Sequence, residues 1–451
     1  MEMKNEELDK ADQVEESMQN GWVAEGRHRF RRVPVAEQHY KRDIKVVTRK
    51  DLSTDQEDVY GQIKRWFDDE NRATEVLRFG GYAGTGKSTL ISVLAHEYKD
   101  RSIAFCAFTG KATNVLKQKL EAAGVRETPY RPISTVHRLI YQPVFIKGSP
   151  VGWKLLEALD YDLIIVDEAS MIDGDLFADL RSFDIPILAV GDHGQLTPVG
   201  GGAGLMKDPD LTLEKIHRQA EGNPVILLAQ YVRESGALPD RYVRDEHVNF
   251  LHPNAFPDRM QELYSRPLTP RDISDIGVLC YTNKKRMMAN NLIRGIRFKE
   301  NVTVNTPPRE EDQVICLRNA HGLVFNGMRG SIVSSRPESD HFYRTHVIFT
   351  EDALEMKGQL CMHQFGREKT ISTYEDAKQH MPELRERGWT FSIGLLFDYG
   401  YCLTVHKAQG SSFKDTFVLY ERPYNITNEE FGRWLYTAVT RSSDKLTVVT
   451  R

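Results

Sequence analysis

The chain contains no run of 18 apolar residues, and its start is charged from Glu2 onward instead of carrying an apolar leader. A membrane-spanning helix and a secretory signal are therefore not expected. Cysteine is scarce: Cys106, Cys280, Cys316, Cys361 and Cys402 are scattered along 451 residues with no C-x-x-C spacing. That argues against a disulfide framework or a zinc site and for a reducing, cytoplasmic setting. Cys361-Met362-His363 is the nearest approach to a metal pair, and one isolated pair is more often surface chemistry. An excess of one charge is also missing, since 60 basic against 64 acidic residues leaves a net −4. Nucleic acid is neither required nor excluded by that balance, because a basic channel can sit on an acidic body. No internal repeat of fixed period is evident.

What is present is enough chain for two or three domains. Residues 1–50 are first acidic (Glu2 to Glu16) and then basic (Arg27 to Lys50), too poor in apolar residues for a core, so a charged extension ordered only in part is expected. From Leu52 onward short apolar strands (103–108, 163–166, 187–190, 276–280, 402–404, 416–419) alternate with helical stretches (56–66, 88–98, 113–122, 223–233, 284–296). Buried strands between helices predict parallel α/β domains with ligands at the carboxyl ends of the strands. Two regions break the pattern. Residues 128–155 are aromatic and proline-bearing, and 302–394 are β-like, with a turn signal at Asn326-Gly327.

Gly81-Tyr82-Ala83-Gly84-Thr85-Gly86-Lys87-Ser88 fits G-x-x-x-x-G-K-[ST] in full. Glycines allow a tight turn whose N–H groups face a phosphate chain, Lys87 reaches the β- and γ-phosphates, and the Ser88 hydroxyl completes a Mg²⁺ shell. A short apolar strand before the loop and a helix after it, with Thr89 in its first turn, supply the required context. The apolar run 163–166 ends in Asp167-Glu168, the first placed for Mg²⁺ and the second to polarise an attacking water. Gln195, in Gly191-Asp192-His193-Gly194-Gln195, is placed to bond the γ-phosphate or that water. Arg218 and Arg441 stand after the first α/β unit and on a late apolar helix, and phosphoryl transfer calls for such always-charged, forked cations.

Taken in order, Gln56, the 81–88 loop, Phe108-Thr109-Gly110-Lys111-Ala112, Ser134-Thr135-Val136-His137 and Asp167-Glu168-Ala169-Ser170-Met171 lead to Gly191–Gln195 and Arg218. Tyr281-Thr282-Asn283, the segment Thr404-Val405-His406-Lys407-Ala408-Gln409-Gly410-Ser411 and Tyr436-Thr437-Ala438-Val439-Thr440-Arg441 follow. This series resembles the superfamily 1 helicases, and within them the 5′-to-3′ subgroup that is RecD-like and bacteriophage Dda-like. The absence of an aromatic directly after Gln195 favours that subgroup.

The resemblance implies an α/β fold of two RecA-like parallel-sheet domains. The first spans 51–215 with a β-hairpin-type insert near 128–155. The second is built from 216–301 and 395–451, with an SH3-like β insert at 302–394. It implies ATP and Mg²⁺ as cofactors, with Gln56 reading adenine, Gly81, Gly84, Thr85, Gly86, Lys87, Ser88 and Thr89 around the phosphates, and Arg218 and Arg441 as fingers. Thr109, Lys111, His137, Thr282, Asn283, Thr404, His406, Lys407 and Gln409 would line a single-strand track, and Tyr141, Phe145 and Trp153 are wedge candidates. The expected partners are single-stranded DNA, forked or tailed duplexes and proteins of replication or recombination, acting on a monomer in the cytoplasm of a bacterial or phage-infected cell. An RNA helicase of the same superfamily and a non-motor NTPase switch stay open as alternatives.

Overall fold

A computed structural model describes residues 23–25, 28–32, 48–70, 75–146, 149–197, 202–215, 222–240, 245–303, 306–319, 324–350, 354–386 and 388–451. The chain forms two compact units. One, the phosphate-loop unit, gathers Lys41–Gln142, Trp153–Leu251 and Val405–Arg451; the other, the β-rich unit, gathers Met1–Tyr40, Pro143–Gly152 and His252–Thr404.

The phosphate-loop unit is built on six parallel strands in the order Leu211–Leu213, Val76–Gly81, Ile187–Gly191, Leu163–Asp167, Ile103–Ala107, Ile133–Thr135. Side chains alternate across a sheet, and here both faces are covered, so the strands read as continuous apolar runs. Ile103, Phe105, Leu163, Ile165, Leu188 and Val190 fill one face together with residues of the helices Thr54–Asp68, Lys87–Glu97 and Gly110–Ala122. Ala104, Cys106, Ile164, Val166, Ile187 and Ala189 fill the other, against Val136, Leu139 and Ile140 and the helix Gly174–Arg181. A second parallel set in the same unit consists of Val248–Leu251, Ser442–Val449 and Phe413–Leu419, flanked by the helices Pro224–Ser235 and Asn428–Val439. Strands Tyr141–Ile146 and Ser149–Leu155 pair as a two-stranded ribbon inside the stretch where a hairpin was expected.

The β-rich unit carries a seven-stranded sheet in the order Val23–Glu25, His28–Arg32, Leu354–Cys361, Phe342–Phe349, Arg329–Pro337, Gln313–Cys316, Phe397–Tyr399, all pairs antiparallel. The expected insert at 302–394 is thus extended on both sides. Part of the charged extension joins it: Phe30 is wholly buried, and Arg31, from the basic run, donates to Glu355 at 2.9 Å. In the same unit the strands Ile276–Cys280 and Cys402–Thr404 pair in parallel beside the helix Asn283–Phe298. The expected second domain is therefore shared between the two units, because 276–280 and 402–404 group with the antiparallel sheet while 405–451 group with the phosphate loop. The class is α/β with parallel sheets, as the alternating strands foretold.

Candidate nucleotide site and nucleic-acid interface

The loop 81–88 links the strand Val76–Gly81 to the helix Lys87–Glu97 at the carboxyl end of the sheet. Gly84 and Gly86 lie at φ 82° and 85°, a left-handed backbone that costs other residues about 1 kcal/mol or more, which is why glycine stands there. Lys87 Nζ donates to the carbonyls of Gly81 (2.5 Å) and Tyr82 (3.0 Å). Ser88 Oγ accepts from Lys119 Nζ at 2.9 Å. Gln56 is fully buried. Its Oε1 accepts from the Ser53 N–H and its Nε2 donates to the Thr85 carbonyl, both at 3.0 Å, so the side chain braces the loop from behind. Thr85 Oγ1 donates to the Tyr82 carbonyl at 2.9 Å, and Thr89 is half-buried in the first turn of the helix.

Asp167 ends the strand Leu163–Asp167, two strands away from the loop, and its Oδ1 accepts from the Glu168 N–H at 2.9 Å. Glu168 holds φ 52° and ψ 38°, a strained backbone for a residue with a Cβ, of the kind that clusters at functional sites. Burial, then the neighbouring Asp167 charge, pushes its carboxyl above the usual range, while Arg441 and Lys87 pull the other way. Gln195 is buried. Its Nε2 donates to Asp192 Oδ2 at 3.3 Å, and its Oε1 is buried with no partner among the described residues.

The helix Asn428–Val439 closes over this region. Tyr436 Oη donates to Asp192 Oδ2 at 2.9 Å and accepts from the Ala83 N–H of the loop at 3.0 Å. Thr437 Oγ1 accepts from the Leu196 N–H at 2.9 Å, and Gln409 Nε2 donates to the Leu196 carbonyl at 3.0 Å. Arg441 is buried, donating to the Thr437 and Ser411 carbonyls, each at 3.1 Å. Tyr82 lies between two side chains, the His193 ring at 4.1 Å and the Arg233 guanidinium at 3.7 Å. Arg218 lies outside the described residues. Asp192 and Tyr436, which sequence reasoning quoted within motifs but gave no task, prove to tie three segments together.

The model of an AAA-domain family matches residues 60–251, and that of a UvrD-like helicase C-terminal domain matches residues 399–449. The ATP-dependent RecD2 DNA helicase of Deinococcus radiodurans is 28% identical over 417 residues, covering 88% of this chain and 49% of that protein. These matches make the chain similar to the superfamily 1 helicases, RecD-like ones among them. It spans about half the length of that curated relative. Among solved structures, Pif1 helicase from Candida albicans aligns with a TM-score of 0.46 at 18% identity, covering 89% of this chain and 94% of that one. A Bacteroides Pif1 bound to single-stranded DNA aligns with a TM-score of 0.46 at 16% identity, covering 88% and 92%.

The track residues expected of a superfamily 1 chain divide between the units. Thr109 caps the helix Gly110–Ala122, its Oγ1 accepting from the Ala112 N–H at 3.1 Å, and Thr282 caps Asn283–Phe298 in the same way from Lys285 at 3.2 Å. Each follows the carboxyl end of a parallel strand, so the two occupy equivalent places in two sheets. Asn283 Oδ1 accepts from Arg286 Nε at 3.2 Å. Thr404 is buried at a strand end, whereas His406 and Lys407 are half-buried, and burial lowers the His406 ring below the usual imidazole range. His137 is half-buried between the Phe108 and Tyr141 rings, each 5.9 Å away, and is lowered for the same reason. Gln409 is buried, and one of its amide N–H groups donates to the Leu196 carbonyl. The Lys111 and Phe145 side chains lie outside the described set. Of the wedge candidates, Tyr141 is tied by its hydroxyl to Asp179 and packs at the edge of the core, while Trp153 is 54% exposed. Among the described residues no helix is long and apolar enough to cross a membrane, and no cluster of three or more His, Cys, Asp or Glu is suited to a metal.

Proposed function

We propose that the chain is an ATP-dependent DNA helicase or translocase that moves on single-stranded DNA in the 5′-to-3′ sense. One observation carries this reading: the Arg441-bearing helix is hydrogen-bonded through Tyr436 both to the phosphate loop at Ala83 and to Asp192, in the compact unit that also holds Asp167-Glu168 and Gln195. A lone phosphate loop serves many NTPases, but a late helix bonded to the loop itself is the arrangement a motor needs to feel the state of its nucleotide.

The residues fit a triphosphate. Left-handed glycines open the loop amides, and Lys87 rests on replaceable carbonyls. ATP supplies the bond whose cleavage drives the cycle, and Mg²⁺ offsets phosphate charge. Lys87 would exchange its loop carbonyls for phosphate oxygens, with Gly81, Gly84, Thr85, Gly86 and Thr89 shaping the amide cradle. Ser88 and Asp167 would hold Mg²⁺, and Lys119 would release Ser88 for it. Glu168, raised toward neutrality by burial, would accept the proton of the attacking water. Arg218 and Arg441 would bring positive charge to the γ-phosphate, with Arg441 first leaving its carbonyl partners. Gln56 would set the base-side wall of the site by fixing Thr85.

On the nucleic-acid side, Thr109, Thr282, Asn283, Thr404, His406, Lys407, Lys111 and His137 would contact the backbone, where polar groups set register without reading sequence. DNA is proposed because the RecD2 relative is named a DNA helicase. The test is ATP turnover with single-stranded DNA or RNA oligonucleotides, in the unsubstituted chain and in Lys87→Ala. Stimulation by DNA, lost at least about a hundredfold in the variant while DNA is still bound, is the expected result. Equal turnover with no oligonucleotide present would favour the NTPase switch, and stimulation by RNA alone would reassign the substrate.

A further inference from the structure

We propose that Tyr436 is a positioning residue whose hydroxyl, acting through Asp192, sets Gln195 to face the nucleotide site as a hydrogen-bond acceptor. The inference rests on the ATP-hydrolysing reading above and deepens it.

Tyr436 and Asp192 are each about 2% exposed, so neither has water to satisfy it. The phenolic oxygen has one proton to give and lone pairs to receive, and both capacities are used: it donates to Asp192 Oδ2 (2.9 Å) and accepts the Ala83 N–H (3.0 Å). Asp192 is an acceptor at every contact. Oδ1 takes the Gly194 N–H at 2.9 Å, and Oδ2 takes Tyr436 and, at 3.3 Å, Gln195. An ionised carboxylate has no proton to offer, so only the –NH₂ end of Gln195 can face it. The amide oxygen must then point the other way, where it lies buried and without a partner. A buried acceptor left open is costly, and its natural complement is a donor.

That chemistry discriminates between the two ligands open to Gln195. A phosphate oxygen accepts hydrogen bonds and would be repelled by a carbonyl oxygen; a water molecule donates. The orientation therefore selects the attacking water as what Gln195 holds, with the –NH₂ reserved for Asp192. The fit is tight around this chain of bonds, since a Cβ on Gly194 would stand 3.0 Å from the Tyr436 ring. The ring also lies edge-on to Tyr82, with centroids 6.3 Å apart. A phenylalanine would keep these ring contacts and lose only the two hydrogen bonds.

The experiment compares the unsubstituted chain with Tyr436→Phe, and with Asp192→Asn as a second route to the same loss of orientation. Three readouts are taken: kcat and KM for ATP with single-stranded DNA, melting temperature, and amide exchange in the peptide containing Ala83 without nucleotide. The expected result for Tyr436→Phe is a kcat lower by about tenfold, KM within about twofold and little change in melting, together with about tenfold faster exchange at Ala83. Asp192→Asn should lower kcat similarly while Ala83 remains protected. A Tyr436→Phe kcat within twofold of the unsubstituted chain, or a KM that rises while kcat holds, would overturn the inference. Unchanged Ala83 exchange would overturn it equally. Absence of turnover in the unsubstituted chain would instead bring down the hydrolytic reading beneath it.

Discussion

Glu168 concentrates most of the tension in the site. Its backbone is left-handed, and burial with the adjacent Asp167 charge raises its carboxyl above the unfolded value near 4.3. A raised carboxyl favours the protonated form in the folded state, so the folded protein loses stability as pH climbs through the folded pKa. Glu168→Gln removes that loss. The variant should melt higher than the unsubstituted chain at neutral pH, with the gap narrowing toward pH 4, while ATP hydrolysis falls at least about a hundredfold. Scanning calorimetry across pH beside a turnover assay checks both halves. A variant that melts lower at pH 7 would mean the carboxylate stabilises the fold. Much of this corner was legible in the sequence, because glycine spacing, a lysine and two acids at a strand end are local signals. The partners that hold Gln409 and Arg441 were not, because they are the carbonyls of Leu196, Thr437 and Ser411, which any sequence would provide.

Elements carry the next layer. The strands 103–107, 163–166 and 187–190 could be read directly, since burial on both faces makes each residue apolar. The strand His28–Arg32 could not. It shows one apolar residue among four basic ones, and its partner, Leu354–Cys361, lies more than 300 positions along the chain. Its anchor is Phe30. Phe30→Ala should destabilise the β-rich unit by about 3 kcal/mol, read as an earlier denaturant midpoint, with nucleotide binding by the other unit unchanged. An unshifted midpoint would show that the strand adds nothing to that sheet. The ribbon Tyr141–Ile146 and Ser149–Leu155 calls for a different test. Tyr141 is committed to Asp179, which leaves exposed Trp153 as its described aromatic. If the ribbon splits duplexes, Trp153→Ala loses strand separation several-fold and keeps DNA-stimulated ATPase; equal unwinding by the variant would remove this residue from that role.

For the molecule as a whole, direction of travel is the decisive property. Thr109 and Thr282 cap helices at equivalent places in two parallel sheets, one in each compact unit. Equivalent sites in two units are what alternating grip requires, and the resemblance to RecD-like helicases sets the expected sense. Duplexes with a 5′ single-stranded tail should be unwound with ATP, whereas those with a 3′ tail should not; the reverse preference would refute the assignment. The antiparallel sheet has a further consequence, for handling the protein. The strand 354–361 is eight residues long and almost wholly buried, and the hairpin 23–32 covers half of its outer edge. Uncovered, it would offer a row of unpaired amides and carbonyls to any passing chain, the template on which aggregates grow. The strand His28–Arg32, in a segment too poor in apolar residues for a core of its own, is then a guard on solubility. Shortening the chain to its motif-bearing residues should produce a protein that precipitates from the edge inward.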